Sequence, residues 1–165
     1  MTHIFEIRQL TEAFYKENVL EEMLDKGVER GLEKKRGYGV LLVEIRGHKF
    51  AIPFRSKMDK NHPANYTTRI YKKNNREYRH GLDFTKAVII GKESYVSQTA
   101  YKLHEQSDFD DIRQKEHFIK QSFEKYVNRY AIALEKGDQN ILNGRKYKYS
   151  TLKNYHNELC PQTTK

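Results

Sequence analysis

Residues 38–54 read YGVLLVEIRGHKFAIPF, and the fold turns on them. YGVLLVEI (38–45) is apolar and β-branched, Arg46-Gly47 is a two-residue turn signal, and HKFAIPF (48–54) follows at once. That order predicts a β-hairpin. Pro53 brings no N–H to a ladder, so it belongs near the strand end or on an edge. Working outward, His3–Arg8 alternates weakly as a first strand. Thr11 caps a helix that carries Leu20, Met23, Leu24 and Val28 and ends in the glycines Gly27 and Gly31. Residues 55–80 are polar and basic, with one short strand at Thr67–Lys72, and FTKAVII (84–90) is a strand stopped by Gly91. A long helix runs from Asp108 to about Glu135, with Ile112, Ile119, Phe123, Tyr126, Val127, Tyr130 and Leu134 on one apolar face. Lys136 and Gly137 suit its end, and a short helix at Ser150–Leu159 closes the chain. Strands first and helices later describe an α+β domain over residues 1–165: a small, twisted antiparallel sheet packed by helices.

The net charge is +9, and its placement matters more than its size. Residues 34–80 hold 13 Lys/Arg against 3 Asp/Glu, whereas the remainder holds 18 against 19. Such a concentrated basic surface draws in a polyanion and speeds encounter with it. The charges of the long helix, Lys120, Lys125 and Arg129, have acidic neighbours that balance them. Hydrophobic residues make up 37% and no apolar run approaches a membrane span. The opening MTHIFEIRQL is not patterned as a secretory signal. Cys160 is the only cysteine, so no internal disulfide forms, and a reducing cytoplasm is the expected setting.

Several familiar sites are missing: no GxxxxGK[ST] loop, GxGxxG turn, HExxH or CxxC pair occurs. Asp59 stands almost alone among the acids near the basic stretch, which argues against a two-metal carboxylate site; no cofactor is expected. Metal-free RNA cleavage needs only a group to take the 2′-OH proton, cations for the phosphorane, and a donor for the leaving oxygen. EKKRGYG (33–39) and PFRSKMDKNH (53–62) carry those residue types. Pairing the strands about Arg46-Gly47 brings Lys35, Arg36 and Tyr38 beside Arg55, Ser56 and Lys57. His62 is the candidate titrating group of the basic loop, while His48, beside the hairpin turn, is structural. Tyrosines interleave with cations in RIYKKNNREYRH (69–80) and GRKYKYS (144–150), the composition that neutralises phosphates and stacks bases. The RNA-contact set is therefore Lys34, Lys60, Arg69, Tyr71, Lys72, Lys73, Arg76, Arg79 and His80, with Arg145 and Lys146. Tyr126 and Tyr130 belong to the core.

The run KKRGYGVLLVEIRGHKFAIPFRSK (34–57), with its continuation to His62, resembles the ToxN/AbiQ toxins of type III toxin–antitoxin and phage-abortive systems. Their pattern is a basic pair, an aromatic, a Gly-containing β run, and a second strand ending Pro-Leu-Ser/Thr-Ser before a Lys- and His-containing loop. HGLDFTKAVII (80–90) resembles their second block, a Gly-Leu followed by a strand. Arg55 departs from the usual Ser or Thr, and Gly37 from the frequent Pro. The resemblance implies a sequence-selective endoribonuclease that leaves a 2′,3′-cyclic phosphate and has a sheet similar to that of MazF/Kid toxins. It also implies a pseudoknot-forming repeat RNA antitoxin as partner, beside the target RNA, in a closed toxin–RNA hetero-oligomer. A non-catalytic RNA-binding module is the alternative that the basic hairpin equally allows. A DNA-binding regulator fits the charge but lacks a basic recognition helix.

Overall fold

The computed structural model describes residues 6–23 and 38–161. Within them the hairpin forms as read: β2 (Val40–Ile45) and β3 (His48–Asp59) pair antiparallel, from Ile45↔His48 to Val40↔Pro53. Arg46 and Gly47 turn the chain with φ of 55° and 78°. Positive φ at both central residues matches the twist of the flanking strands. For Arg46 this conformation is uncommon. Its guanidinium is anchored to Asn128 Oδ1 at 3.2 Å and to the Leu159 carbonyl at 3.2 Å. His48 is structural as expected, its Nε2 lying 3.1 Å from the Glu158 carbonyl oxygen.

β3 does not stop at residue 54. It continues to Asp59, so Pro53 lies inside a central strand rather than at an end or edge. The reason is local. Phe54 N donates to Gly39 O on the β2 side, which turns the Pro53 nitrogen to the other side. There β3 pairs with β6 (Val88–Ile89) only as far as Ala51 and with β5 (Arg76–Asp83) only from Phe54. The proline occupies that gap, where no donor is needed. Past it, a register shift between Arg55 and Met58 marks a bulge, which bends the strand and re-aims its side chains.

The remaining strands depart further from the sequence reading. Residues 65–83 form a full hairpin, β4 (Asn65–Lys73) with β5, turned by Asn74 and Asn75 at φ 53° and 64°. Only a short strand at Thr67–Lys72 was expected there. The expected strand at 84–90 is instead a 3₁₀ turn at Phe84–Lys86 followed by two-residue β6. Asp83 causes this by accepting the Thr85 N–H and capping the turn. The sheet order is β1-β2-β3-β5-β4, with β6 on β3 and β1 reduced to Ile7–Arg8.

The first helix, α1 (Glu12–Glu17), is cut short. Asn18 ends it by giving its side-chain amide to the Phe14 carbonyl, competing with the helical ladder. Leu20 and Met23 follow outside the helix; Leu24, Gly27, Val28 and Gly31 lie beyond the described residues. The long helix is two helices, α2 (Gln106–Gln114) and α3 (Glu116–Lys136), which meet at Lys115. Side chains of α2 are bound to the sheet: Tyr66 Oη donates to Asp111, and Arg69 pairs with Asp108. α3 ends on left-handed Gly137 as expected. The closing helix is likewise split, into a 3₁₀ turn at Thr151–Asn154 and α5 (His156–Leu159), after the one-turn α4 (Gln139–Leu142). Phe50, Phe84, Phe123 and Tyr126 interlock in one contiguous core, mostly edge to face. The architecture is α+β with a six-stranded antiparallel sheet. No described helix is long and apolar enough to cross a membrane.

Candidate nucleic-acid interface

The β4–β5 register sorts the basic segment onto two faces. Arg69↔His80, Tyr71↔Tyr78 and Lys73↔Arg76 are cross-strand pairs, while Ile70↔Arg79 and Lys72↔Glu77 alternate with them. Side chains of a strand alternate between faces. Arg69, Tyr71, Lys73, Arg76, Tyr78 and His80 therefore share one face, and Lys72 and Arg79 take the other. Lys57 joins the first face: its Nζ lies 5.2 Å from the centre of the Tyr78 ring, which the Arg76 guanidinium also approaches at 5.8 Å. The Tyr71 and Tyr78 rings are 5.7 Å apart, and Tyr71 Oη donates to the Ser56 carbonyl at 2.8 Å. Exposed Ser56 and Lys57 thus stand on the bulge beside a row of cations and tyrosines.

His80 sits at the inner end of that row. Its ring meets Tyr71 edge-on at 4.8 Å, and its Nδ1 is buried 3.7 Å from Asp108 Oδ2, too long for a hydrogen bond. Arg69 Nε reaches the other oxygen of Asp108 at 3.5 Å. Burial first, then the Arg69 charge, hold the His80 pKa below the usual imidazole value, against the opposite pull of Asp108 and Glu105. An imidazole kept neutral beside a buried carboxylate is equipped to accept a proton.

Arg55 and His62 do not join this face. Both bind the fully buried Asp83, Arg55 Nη1 at 2.7 Å and His62 Nε2 at 2.9 Å. Thr85 adds its N–H at 2.9 Å and its hydroxyl at 2.6 Å. Burial pushes the Asp83 carboxyl up, but hydrogen bonds from His62, Thr85 and Arg55 outweigh it and hold the pKa below the ordinary carboxylate value. The other ring nitrogen of His62, Nδ1, accepts from Ala64 N at 3.3 Å. With both nitrogens engaged, His62 anchors the β3–β4 turn, away from the cationic face on which the sequence reading grouped it.

The hairpin register carries Tyr38 toward Arg55 as anticipated, since Phe54 N donates to Gly39 O, and Tyr15 Oη donates to Tyr38 Oη at 2.6 Å. Lys34, Lys35 and Arg36 lie outside the described residues. Lys60, Arg79 and Lys146 gather elsewhere, around a cleft between the β3–β4 turn and α3. Arg145 donates to the Asn61 carbonyl at the edge of that turn. Lys125 and Arg129 of α3 line the same cleft and form no ion pair among the described residues, so acidic neighbours do not balance them. Among the described residues no three His, Cys, Asp or Glu side chains gather as a metal-ligand set.

Comparisons with family models, with curated proteins and with solved structures return nothing that matches this chain.

The sequence reading passed over Asp83 and Asp108, and took in Tyr78 only as part of the basic-aromatic run 69–80. The Asp-Phe-Thr run at 83–85 is a turn-capping signal that pointed to the first. Asp108 read only as a helix-start acid, and nothing local in the sequence pairs it with His80.

Proposed function

We propose that this protein binds RNA on the β3–β5–β4 face and cuts it without a metal ion. The observation that carries the reading is His80, neutral and backed by buried Asp108, at the head of a row formed by Ser56, Lys57, Tyr71, Arg76 and Tyr78. Tyr71 and Tyr78 stack unpaired bases, and Arg76 and Lys73 neutralise flanking phosphates. His80 takes the proton of a ribose 2′-OH as that oxygen attacks the adjacent phosphorus. The P–O5′ bond breaks, the 5′-oxygen leaves and takes a proton from Lys57 or water, and the 3′ end of the upstream piece becomes a 2′,3′-cyclic phosphate. Lys57 and the Ser56 hydroxyl stabilise the charge on the phosphorane. Arg55 acts through its bond to Asp83, by fixing the strand that carries Ser56.

The motif resemblance of residues 34–62 supports a finer version of the same reading. In it the chain is a type III toxin endoribonuclease of the ToxN/AbiQ kind, with a MazF/Kid-like sheet. It works in the cytoplasm and is restrained by a pseudoknot repeat RNA in a closed toxin–RNA assembly. A non-catalytic RNA-binding module is the second reading, favoured by the commitment of Arg55 and His62 to Asp83. Single-turnover cutting rates separate the two. Ser56→Ala and Lys57→Ala should each slow cutting on the order of a hundredfold. Parental rates in both folded variants would remove the bulge from the site.

A further inference from the structure

The cleft between the β3–β4 turn and α3 contributes nothing to the chemistry above, yet every charged side chain that lines it is a cation or a histidine. Its volume is about 520 Å³, and its walls carry Lys60, Arg79, Lys125, Arg129 and Lys146 with no Asp or Glu. None of these five cations forms an ion pair among the described residues. Lys125 and Arg129 stand four residues apart on α3, where like charges disfavour the helix. Five unpaired cations around one concavity repel one another, and an anion seated among them relieves that repulsion.

The cleft is also built to hold its shape. Arg79 is fixed by its Nε to the Lys60 carbonyl at 3.0 Å and by Nη1 to Thr67 Oγ1 at 3.4 Å. On the opposite wall, Tyr126 Oη donates to the Lys146 carbonyl at 2.8 Å, and the Tyr126 and Tyr147 rings stack at 4.7 Å. The turn between the walls is pinned from beneath by the His62–Asp83 contact. A guanidinium fixed in this way, between walls that are already braced, loses less freedom when a ligand binds.

We infer that this cleft is a second phosphate-binding site, which grips the backbone of a single RNA strand away from the face that cuts. Arg79 lies on the sheet face opposite His80, so a strand reaching both must pass around the edge formed by β4 and the β3–β4 turn. The inference rests on the RNA reading above for its ligand but not on any cutting. A free phosphate compound presents the same chemistry, and the test separates the two sources.

The test is a salt titration of affinity for a 2′-O-methyl oligonucleotide of twelve residues, which no 2′-OH mechanism can cut. Each phosphate contact of a single strand contributes about 0.7 to the slope of log affinity against log salt. Lys125→Ala/Arg129→Ala, which removes two such contacts, should therefore flatten the slope by about 1.4. Lys102→Ala/Lys120→Ala, the same charge change on exposed residues outside the cleft, should alter it by less than about half as much. Equal flattening by both variants, or none by the first, overturns the proposal. Titration of the protein with pyrophosphate, followed by NMR, supplies the other arm. If pyrophosphate perturbs the amides of Lys125, Arg129 and Lys146 while the oligonucleotide slope stays parental, the cleft takes a free phosphate and the strand is the wrong ligand. A wild-type protein that cuts no RNA yet shows the slope change would sink the cutting face and leave the cleft standing.

Discussion

Two histidines of the basic region illustrate how little residue type says without surroundings. His62 has both ring nitrogens occupied, by Asp83 and by the Ala64 N–H, and is a structural pin. His80 has its Nδ1 turned toward Asp108 without a hydrogen bond, and on our proposal it is the base of the reaction. We expect His80→Asn to slow RNA cutting at least a hundredfold while affinity for uncuttable RNA stays within a few-fold. The base must be unprotonated to act, and its pKa lies below the usual imidazole value. Wild-type cutting should accordingly rise with pH through a midpoint below 6.5 and then level off. A midpoint above 7, or a His80→Asn variant with the parental rate, would remove His80 from the reaction. Asp83 makes a separate prediction. Its carboxyl is held below its ordinary pKa, so its contribution to stability is present above the unfolded carboxylate range and is lost as pH falls through the lower folded value. Asp83→Asn leaves Arg55 without its partner and should cost about 3 kcal/mol in urea unfolding at neutral pH. The deficit relative to wild type should shrink in acid; a deficit constant down to pH 2 would contradict the assignment.

At the level of elements, legibility followed apolar content. The 38–54 hairpin was readable because its strands are β-branched and apolar and its turn carries a glycine. β5 was not, because Arg76, Tyr78 and His80 point to one face and Glu77 and Arg79 to the other, so no apolar alternation marks it. The Asn74-Asn75 pair was the available signal, since Asn tolerates the left-handed region that such a turn requires. The break at Lys115 left no trace in the sequence, as the apolar spacing runs on from Ile112 to Ile119 across it. Tertiary contacts of Asp108 and Asp111 with the sheet accompany that break. Gly81 is closely approached by the neighbouring strand: an added Cβ would fall on the Tyr66 carbonyl. Gly81→Ala should therefore destabilise by about 1–3 kcal/mol and loosen the row of residues that depends on this pairing. Thermal unfolding checks it, and an unchanged midpoint would mean that the two strands are not in this register.

Among the described residues, the cations of the β4–β5 hairpin and its neighbours are divided by the sheet between two surfaces of different character. One is an aromatic row with half-buried His80 and buried Asp108 at its head, and the other is a cleft that borrows two cations from α3. The sequence located these cations but not their division, because strand parity becomes known only once the register is. Nor did it bring in Lys125 and Arg129, which reach the cleft by the packing of α3. On our proposal the aromatic row cuts RNA through the 2′-OH with protein groups alone. The most direct measurement incubates the purified chain with single-stranded RNA in excess EDTA and examines the new ends. Fragments ending in 2′,3′-cyclic phosphate should form at the same rate with and without chelator and be lost in His80→Asn. Intact RNA, or cutting that vanishes in EDTA and returns with magnesium, would contradict the proposal.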